Sequence, residues 1–364
     1  MRVRLELRCA AVAALLLVSV LPLPAVAAPP PPQVDCVQTL APALTRSLDP
    51  TRFARPQSVA WNGASEALVA THGGIAAYDL RSGAARVVVP GDSIPVGIPD
   101  VVGVAGDGAR LIAFNLDYSD VVADARSGRI VAARRDAVLQ IADVAIRGDV
   151  AAVLAYPLHL RGKDLAQLWV GEPGAPWDTF VPLHVLSPEA AETIRYAMAP
   201  YGGAVTFDRD GSIAMISPAE RGVFRYRPDG TALPTLGRNV SELVVPELPR
   251  AIRNYALDLD GRYREVFNRQ PTIDDLVTTS DGLAIVVRLW HDGKVHWQLW
   301  FPDADRIRRR IALGISDTRV AGGHLHCSGR GTAVICAFGR FTAPKQPPTP
   351  ELDVFELTDA KGCK

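Results

Sequence analysis

The sequence is poor in the residues that most sharply mark a function. Only five of its 39 basic residues are lysines, and basic and acidic residues balance at 39 each, so no excess charge draws the chain toward nucleic acid or an anionic bilayer. Beyond the first 28 residues no apolar run is long enough to cross a membrane as a helix. There is no G-x-S-x-G elbow, no H-E-x-x-H helix and no phosphate-cradling glycine loop, so nucleophilic, zincin-type and nucleotide chemistry have no support in the sequence. Five cysteines include no C-x-x-C pair from which to build a four-thiolate metal site.

What is present begins with a leader. Arg2, Arg4 and Arg8 precede an apolar stretch from Ala10 to Leu21, and Ala25-Val26-Ala27 offers small residues for cleavage, so residues 1–27 are predicted to be a secretory signal. Removing them leaves 36 basic against 38 acidic residues, a net of −2. Residues 28–35, with Pro29 to Pro32, read as a flexible start to a single domain over 36–364. The expected location is therefore secreted or periplasmic, where disulfides persist, with Cys36, Cys327, Cys336 and Cys363 available to pair.

The domain is written in paired tight turns about twenty residues apart. Asn62-Gly63 is answered by Ser82-Gly83, Asp107-Gly108 by Ser127-Gly128, and Asp210-Gly211 by Asp229-Gly230, each flanked by short runs of Val, Ile and Ala. Such steps supply the positive φ of hairpin turns, so each pair marks two hairpins of one antiparallel sheet. First turns near positions 63, 108, 148, 211, 282 and 329 stand 45, 40, 63, 71 and 47 residues apart. A four-stranded propeller blade takes roughly 40 to 50 residues, so the prediction is an all-β, six-bladed β-propeller with insertions near 187–198 and 238–269. The second insertion, with Asp260-Gly261 inside it, leaves a seventh blade as the alternative.

Two stretches carry a family resemblance. Leu68-Val69-Ala70-Thr71 through Ile75-Ala76-Ala77-Tyr78-Asp79-Leu80-Arg81-Ser82-Gly83 resembles β-propeller repeats of the YVTN and NHL kind, and Val121 to Ile130 is similar to the quinoprotein-type repeat. The resemblance implies a fold used by scaffolds, binding proteins and enzymes alike, and selects none of them.

The last blade is short of a strand. Val320 to His326, Thr332 to Phe338 and Leu352 to Leu357 supply three, and the segment from Val37 to Leu44 is expected to add the fourth as an edge strand, where Pro42 is tolerated. That closure would bring Cys36 beside Cys363 and leave Cys327 with Cys336. A turn over Ser328 to Gly331 would set those two about four residues out of register, beyond the usual reach of a disulfide, so either the hairpin is irregular or they stay reduced.

Strand order places the first-to-second and third-to-fourth turns on one face of the disc. The second-to-third loops and the blade-to-blade links, which hold both insertions, fall on the other. Long loops gathered on a rigid scaffold are the usual place for binding, so His72, Tyr118, His159, Arg161, Asp164 and His291 are the candidate ligand contacts on that face. His184 maps there too, although no spacing ties these histidines together. His324 and His326, two apart on a strand, point to one side and are the candidate metal ligands. No cofactor is implied beyond a divalent metal at that pair. The reading is a binding or scaffold protein for a protein, peptide or glycan. The alternative is a metal-dependent hydrolase or lactonase working in the central channel, against which stands Arg55 to Trp61, where gluconolactonase-like propellers carry a metal-binding Glu.

Overall fold

The computed structural model describes residues 37–49, 56–71, 73–94, 101–115, 119–135, 139–157, 166–188, 190, 203–217, 219–240, 271–291, 294–315, 325–340 and 349–359. Its strands form six sheets, each built on four antiparallel strands as foreseen from the turns. Blade 1 runs through Ser58–Asn62, Glu66–Thr71, Gly74–Asp79 and Ala85–Pro90, and blade 2 through Val101–Gly106, Arg110–Asn115, Ser119–Asp124 and Ile130–Arg135. Blade 3 uses Leu139–Arg147, Val150–Pro157, Ala166–Gly171 and Val181–Val185; blade 4 uses Ala204–Phe207, Ile213–Ile216, Val223–Tyr226 and Ala232–Leu236. Blade 5 is Thr272–Thr279, Gly282–His291, Lys294–Pro302 and Ile307–Leu313, and blade 6 is His326–Arg330, Ala333–Arg340 and Thr349–Glu356 with Leu44–Ser47 at its edge. The count is six among the described residues, and 241–270, where a seventh blade was considered, lie outside them.

Blades stack face to face, so their middle strands are covered on both sides and read as continuous apolar runs; every residue of Ile213–Ile216 is buried. Outer strands alternate instead, with Val131 at 51% and Val181 at 56% exposed. Each of the six apolar clusters draws on two neighbouring blades. Leu68 packs with Leu111 across blades 1 and 2, while Val59 and Val69 meet Ile335 and Leu352 across blades 1 and 6, and this last cluster closes the ring.

Closure departs from expectation in register. Leu44–Ser47, not Val37–Leu44 as a whole, completes blade 6 by pairing with Glu351 to Val354. Val37–Leu40 runs parallel to Ile307–Leu313 as a fifth strand of blade 5. Pro42 explains the split, because a residue without an N–H interrupts a ladder, and the chain changes blades around it. The arginines of Ile307–Leu313 are therefore not on an open edge. Arg310 stacks over Trp300 at 4.0 Å and Arg309 pairs with Asp281 at 2.7 Å.

The innermost strand of blade 6 also lies later than Val320 to His326. Its turn is Gly331-Thr332, with Arg330 facing Ala333, which sets Cys327 directly opposite Cys336. The two are bonded, their Cα atoms 4.1 Å apart. Gly329 reads as a turn residue but sits inside the strand, because a Cβ there would stand 2.3 Å from Thr278 O of blade 5. It is glycine for a close approach between blades. Cys36 and Cys363 lie outside the described residues.

Candidate functional site

The six innermost strands enclose a central channel of about 810 Å³. One position recurs in all of them, four residues ahead of the residue that closes the first turn. It is filled by Ser58, Gly103, Asp143, Ala204, Asp275 and His326 in blade order. It lies toward the long-loop face, since each innermost strand starts there.

The odd-numbered blades place a hydrogen-bond acceptor at this position, and each accepts an N–H from the next blade. Val104 N–H reaches Ser58 Oγ at 3.5 Å, Val205 N–H reaches Asp143 Oδ2 at 2.7 Å, and Cys327 N–H reaches Asp275 Oδ2 at 2.8 Å. The remaining carboxylate oxygens are engaged locally: Val144 N–H donates to Asp143 Oδ1 and Leu276 N–H to Asp275 Oδ1, both at 2.8 Å. Register shifts at Ile141/Asp143 and Ile273/Asp275 mark β-bulges beside both aspartates; a bulge re-aims a side chain.

These carboxyls are costly to ionise. Burial pushes Asp143 up to about 7, against only two opposing backbone hydrogen bonds. Asp275 is raised well above the usual carboxylate range, first by burial and then by the charge of Asp143, with Asp274 adding to it. The Asp275 side chain keeps 15% of its surface exposed, and both residues line the channel.

The other end of the channel mixes charges, with Arg147, Arg209 and Arg330 beside Asp107 and Asp208 in its lining. Here arginines stitch blade to blade in one direction. Arg86 of blade 1 donates to Ala125 O and Arg126 O at 3.2 and 2.9 Å, Arg110 of blade 2 pairs with Asp149 at 2.7 Å, Arg147 of blade 3 donates to Asp208 O at 2.8 Å, and Arg209 of blade 4 donates to Ser280 O.

His326 begins its strand with Nδ1 3.9 Å from Asp275 Oδ2. His324, its expected companion, lies outside the described residues, as do His72, Tyr118, His159, Arg161 and Asp164; of His291 only the backbone, paired with Lys294, is described. Among the described residues no three His, Cys, Asp or Glu side chains gather as a metal set. His184 is built into the contact of blades 3 and 4. Tyr226 Oη lies 2.6 Å from His184 Nδ1 and Glu220 Oε2 faces Nε2, while burial and then the Glu220 charge push the Tyr226 hydroxyl up to about 12.

Sequence reasoning missed Asp143 and Asp275 as site residues, though a signal was there. In each case an aspartate leads an apolar run, Asp143-Val144-Ala145-Ile146 and Asp275-Leu276-Val277, at the same distance from a hairpin turn.

No family model matches the chain, and no curated protein matches it. Among solved structures it is similar to the WD40 repeats of RRP9, at 12% identity over 88% of this chain and 100% of that one, TM-score 0.46. It is similar also to the calcium-binding protein regucalcin from Agrobacterium tumefaciens, at 11% over 88% and 97%, TM-score 0.47. A third is virginiamycin B lyase from Staphylococcus aureus, at 10% over 86% and 99%, TM-score 0.45. All are β-propeller proteins, the class to which the six sheets here assign this chain.

Proposed function

We propose that this is an exported propeller that binds a protein, peptide or glycan at its long-loop face, with the central channel receiving the most closely recognised part of the ligand. The channel itself carries the reading. Its volume of about 810 Å³ falls within the roughly 300–1,000 Å³ of small-ligand pockets, and most of its wall is strand. Asp143 and Asp275 line the channel and favour a side chain or sugar that presents hydrogen-bond donors. Export rests on the leader over residues 1–27, and the Cys327–Cys336 bond accords with an oxidising compartment.

Native mass spectrometry of the untagged protein purified from its own host, run with elemental analysis, tests the reading. The expected result is an organic ligand that co-purifies and is lost when Asp143→Asn and Asp275→Asn are combined. A stoichiometric divalent metal with no organic ligand would overturn it in favour of a metal-dependent hydrolase in the same channel.

A further inference from the structure

At the tight-turn end of the channel one arginine breaks the stitching pattern. Arginines of blades 1 to 4 each reach the next blade, but Arg330 of blade 6 does not reach blade 1. That seam is held from the other side, where Trp61 of blade 1 donates its backbone N–H to Ser328 Oγ at 3.2 Å and its Nε1–H to Ser328 O at 3.1 Å. Blades 5 and 6 meet through Ser280 N–H and Gly331 O. Arg330 lines the channel, and among the described residues nothing engages its guanidinium, so its N–H groups are uncommitted to protein.

Two further guanidiniums stand on the same arc of the ring. Arg147 donates to Asp208 O and Arg209 O, which sets it against the first turn of blade 4. Arg209 donates from that turn to Ser280 O, and Ser280 is the residue that meets Gly331, next to Arg330. These acceptors are neutral carbonyls, so they leave both positive charges in place. The carboxylates around them are occupied elsewhere. Asp107 accepts from Ala109, Arg110 and Gly148 N–H groups, Asp208 and Asp210 share Arg225 at 3.1 and 3.2 Å, Asp281 pairs with Arg309 at 2.7 Å, and Asp149 pairs with Arg110. None of them bridges to Arg147, Arg209 or Arg330.

We propose that Arg330, with Arg209 and Arg147 along the arc beside it, forms a carboxylate subsite at the tight-turn end of the channel. A guanidinium presents paired N–H groups in one plane that match the two oxygens of a carboxylate, so an uncommitted arginine backed by two others is a receiver for that group. From Asp143 to Arg147 the strand advances four residues, about 13 Å, and one ligand can span it with donors toward the aspartates and a carboxylate toward the arginines. The ligand class is therefore dipolar, with hydroxyl or amine donors at one end and a free carboxylate at the other. This inference rests on the reading of the channel as the ligand site, and it adds the orientation of what enters.

Isothermal titration at low ionic strength tests the subsite with D-glucuronate against D-glucose, and with N-acetyl-trialanine against its C-terminal amide. The wild type is expected to bind at least one of the two carboxylates and neither neutral counterpart. Glucuronate alone would make a sugar acid the source of the carboxylate, and the tripeptide alone a peptide terminus. Arg330→Ala should weaken binding by about tenfold or more, and Arg330→Glu should abolish it. The thermal midpoint of Arg330→Ala should stay at the wild-type value, since that side chain has no partner to lose, and added salt should weaken binding to the wild type.

No binding of either carboxylate, equal binding of a neutral counterpart, or an affinity unchanged in Arg330→Ala would overturn the subsite. The ligand that co-purifies from the host separates this failure from that of the channel reading. An organic ligand without a carboxylate, retained by Arg330→Glu, overturns the subsite and leaves the channel reading standing. A stoichiometric metal without an organic ligand overturns both.

Discussion

The tight-turn side and the long-loop side of the blades perform the same task with opposite physics. At the tight-turn end, blades are joined by arginines reaching exposed carbonyls and carboxylates, as Arg147 does to Asp208 O and Arg110 to Asp149. At the long-loop end they are joined by buried acceptors that take a neighbour's backbone N–H, as Asp143 does from Val205. Exposed pairs are screened by water and each is worth little. Buried acceptors are strong holders, but they respond to pH and suffer when a partner is removed. Arginine stitching at one face therefore tolerates change, while the opposite face concentrates its stability in a few groups.

Breaking a buried pair toward the long-loop end should have the largest effect. Arg134 binds Asp120 through Nη2 at 2.5 Å and lies over the Trp177 and Phe180 rings, while burial raises Asp120 against the pull of that guanidinium. Arg134→Ala would leave Asp120 buried without its countercharge, and urea unfolding should register a loss of about 3–5 kcal/mol. A loss below about 1 kcal/mol would erase the contrast between the ends.

Next comes the bond that fixes blade 6 beside Asp275. Replacing both Cys327 and Cys336 with Ala opens a loop with sequence separation 9 and should lower stability by about 3 kcal/mol, read from the thermal midpoint in oxidising buffer. No change on adding reductant to the wild type, with both cysteines then alkylated, would show that the bond contributes nothing.

The smallest effect belongs to the arginine end. Arg147→Ala removes its hydrogen bond to Asp208 O, and the expected loss is about 0.5 kcal/mol or less, shrinking further in high salt. A loss as large as that for Arg134 would mean that the two ends are alike.

Legibility followed the range of the forces involved. The Asp79-Leu80-Arg81-Ser82-Gly83 turn was readable because it is self-contained. Asp79 Oδ1 accepts from Arg81 N, Ser82 N and Ser82 Oγ, and Asp124 repeats the pattern with Arg126 and Ser127. Gly329 was misread for the opposite reason, since what demands glycine there is a carbonyl about fifty residues away in sequence, on blade 5. Asp143 and Asp275 were hidden in the same way. An aspartate ahead of an apolar run looks like a turn residue until the next blade brings its N–H to the carboxyl.

By itself the sequence determined the hairpins, their spacing and hence an all-β ring of four-stranded blades, because turn geometry and apolar periodicity act within a few residues. Tertiary structure alone decided where the N-terminal segment divides around Pro42, that Cys327 faces Cys336, and that two aspartates meet in one channel. Those outcomes depend on contacts between blades, and such contacts come into being only when the ring closes.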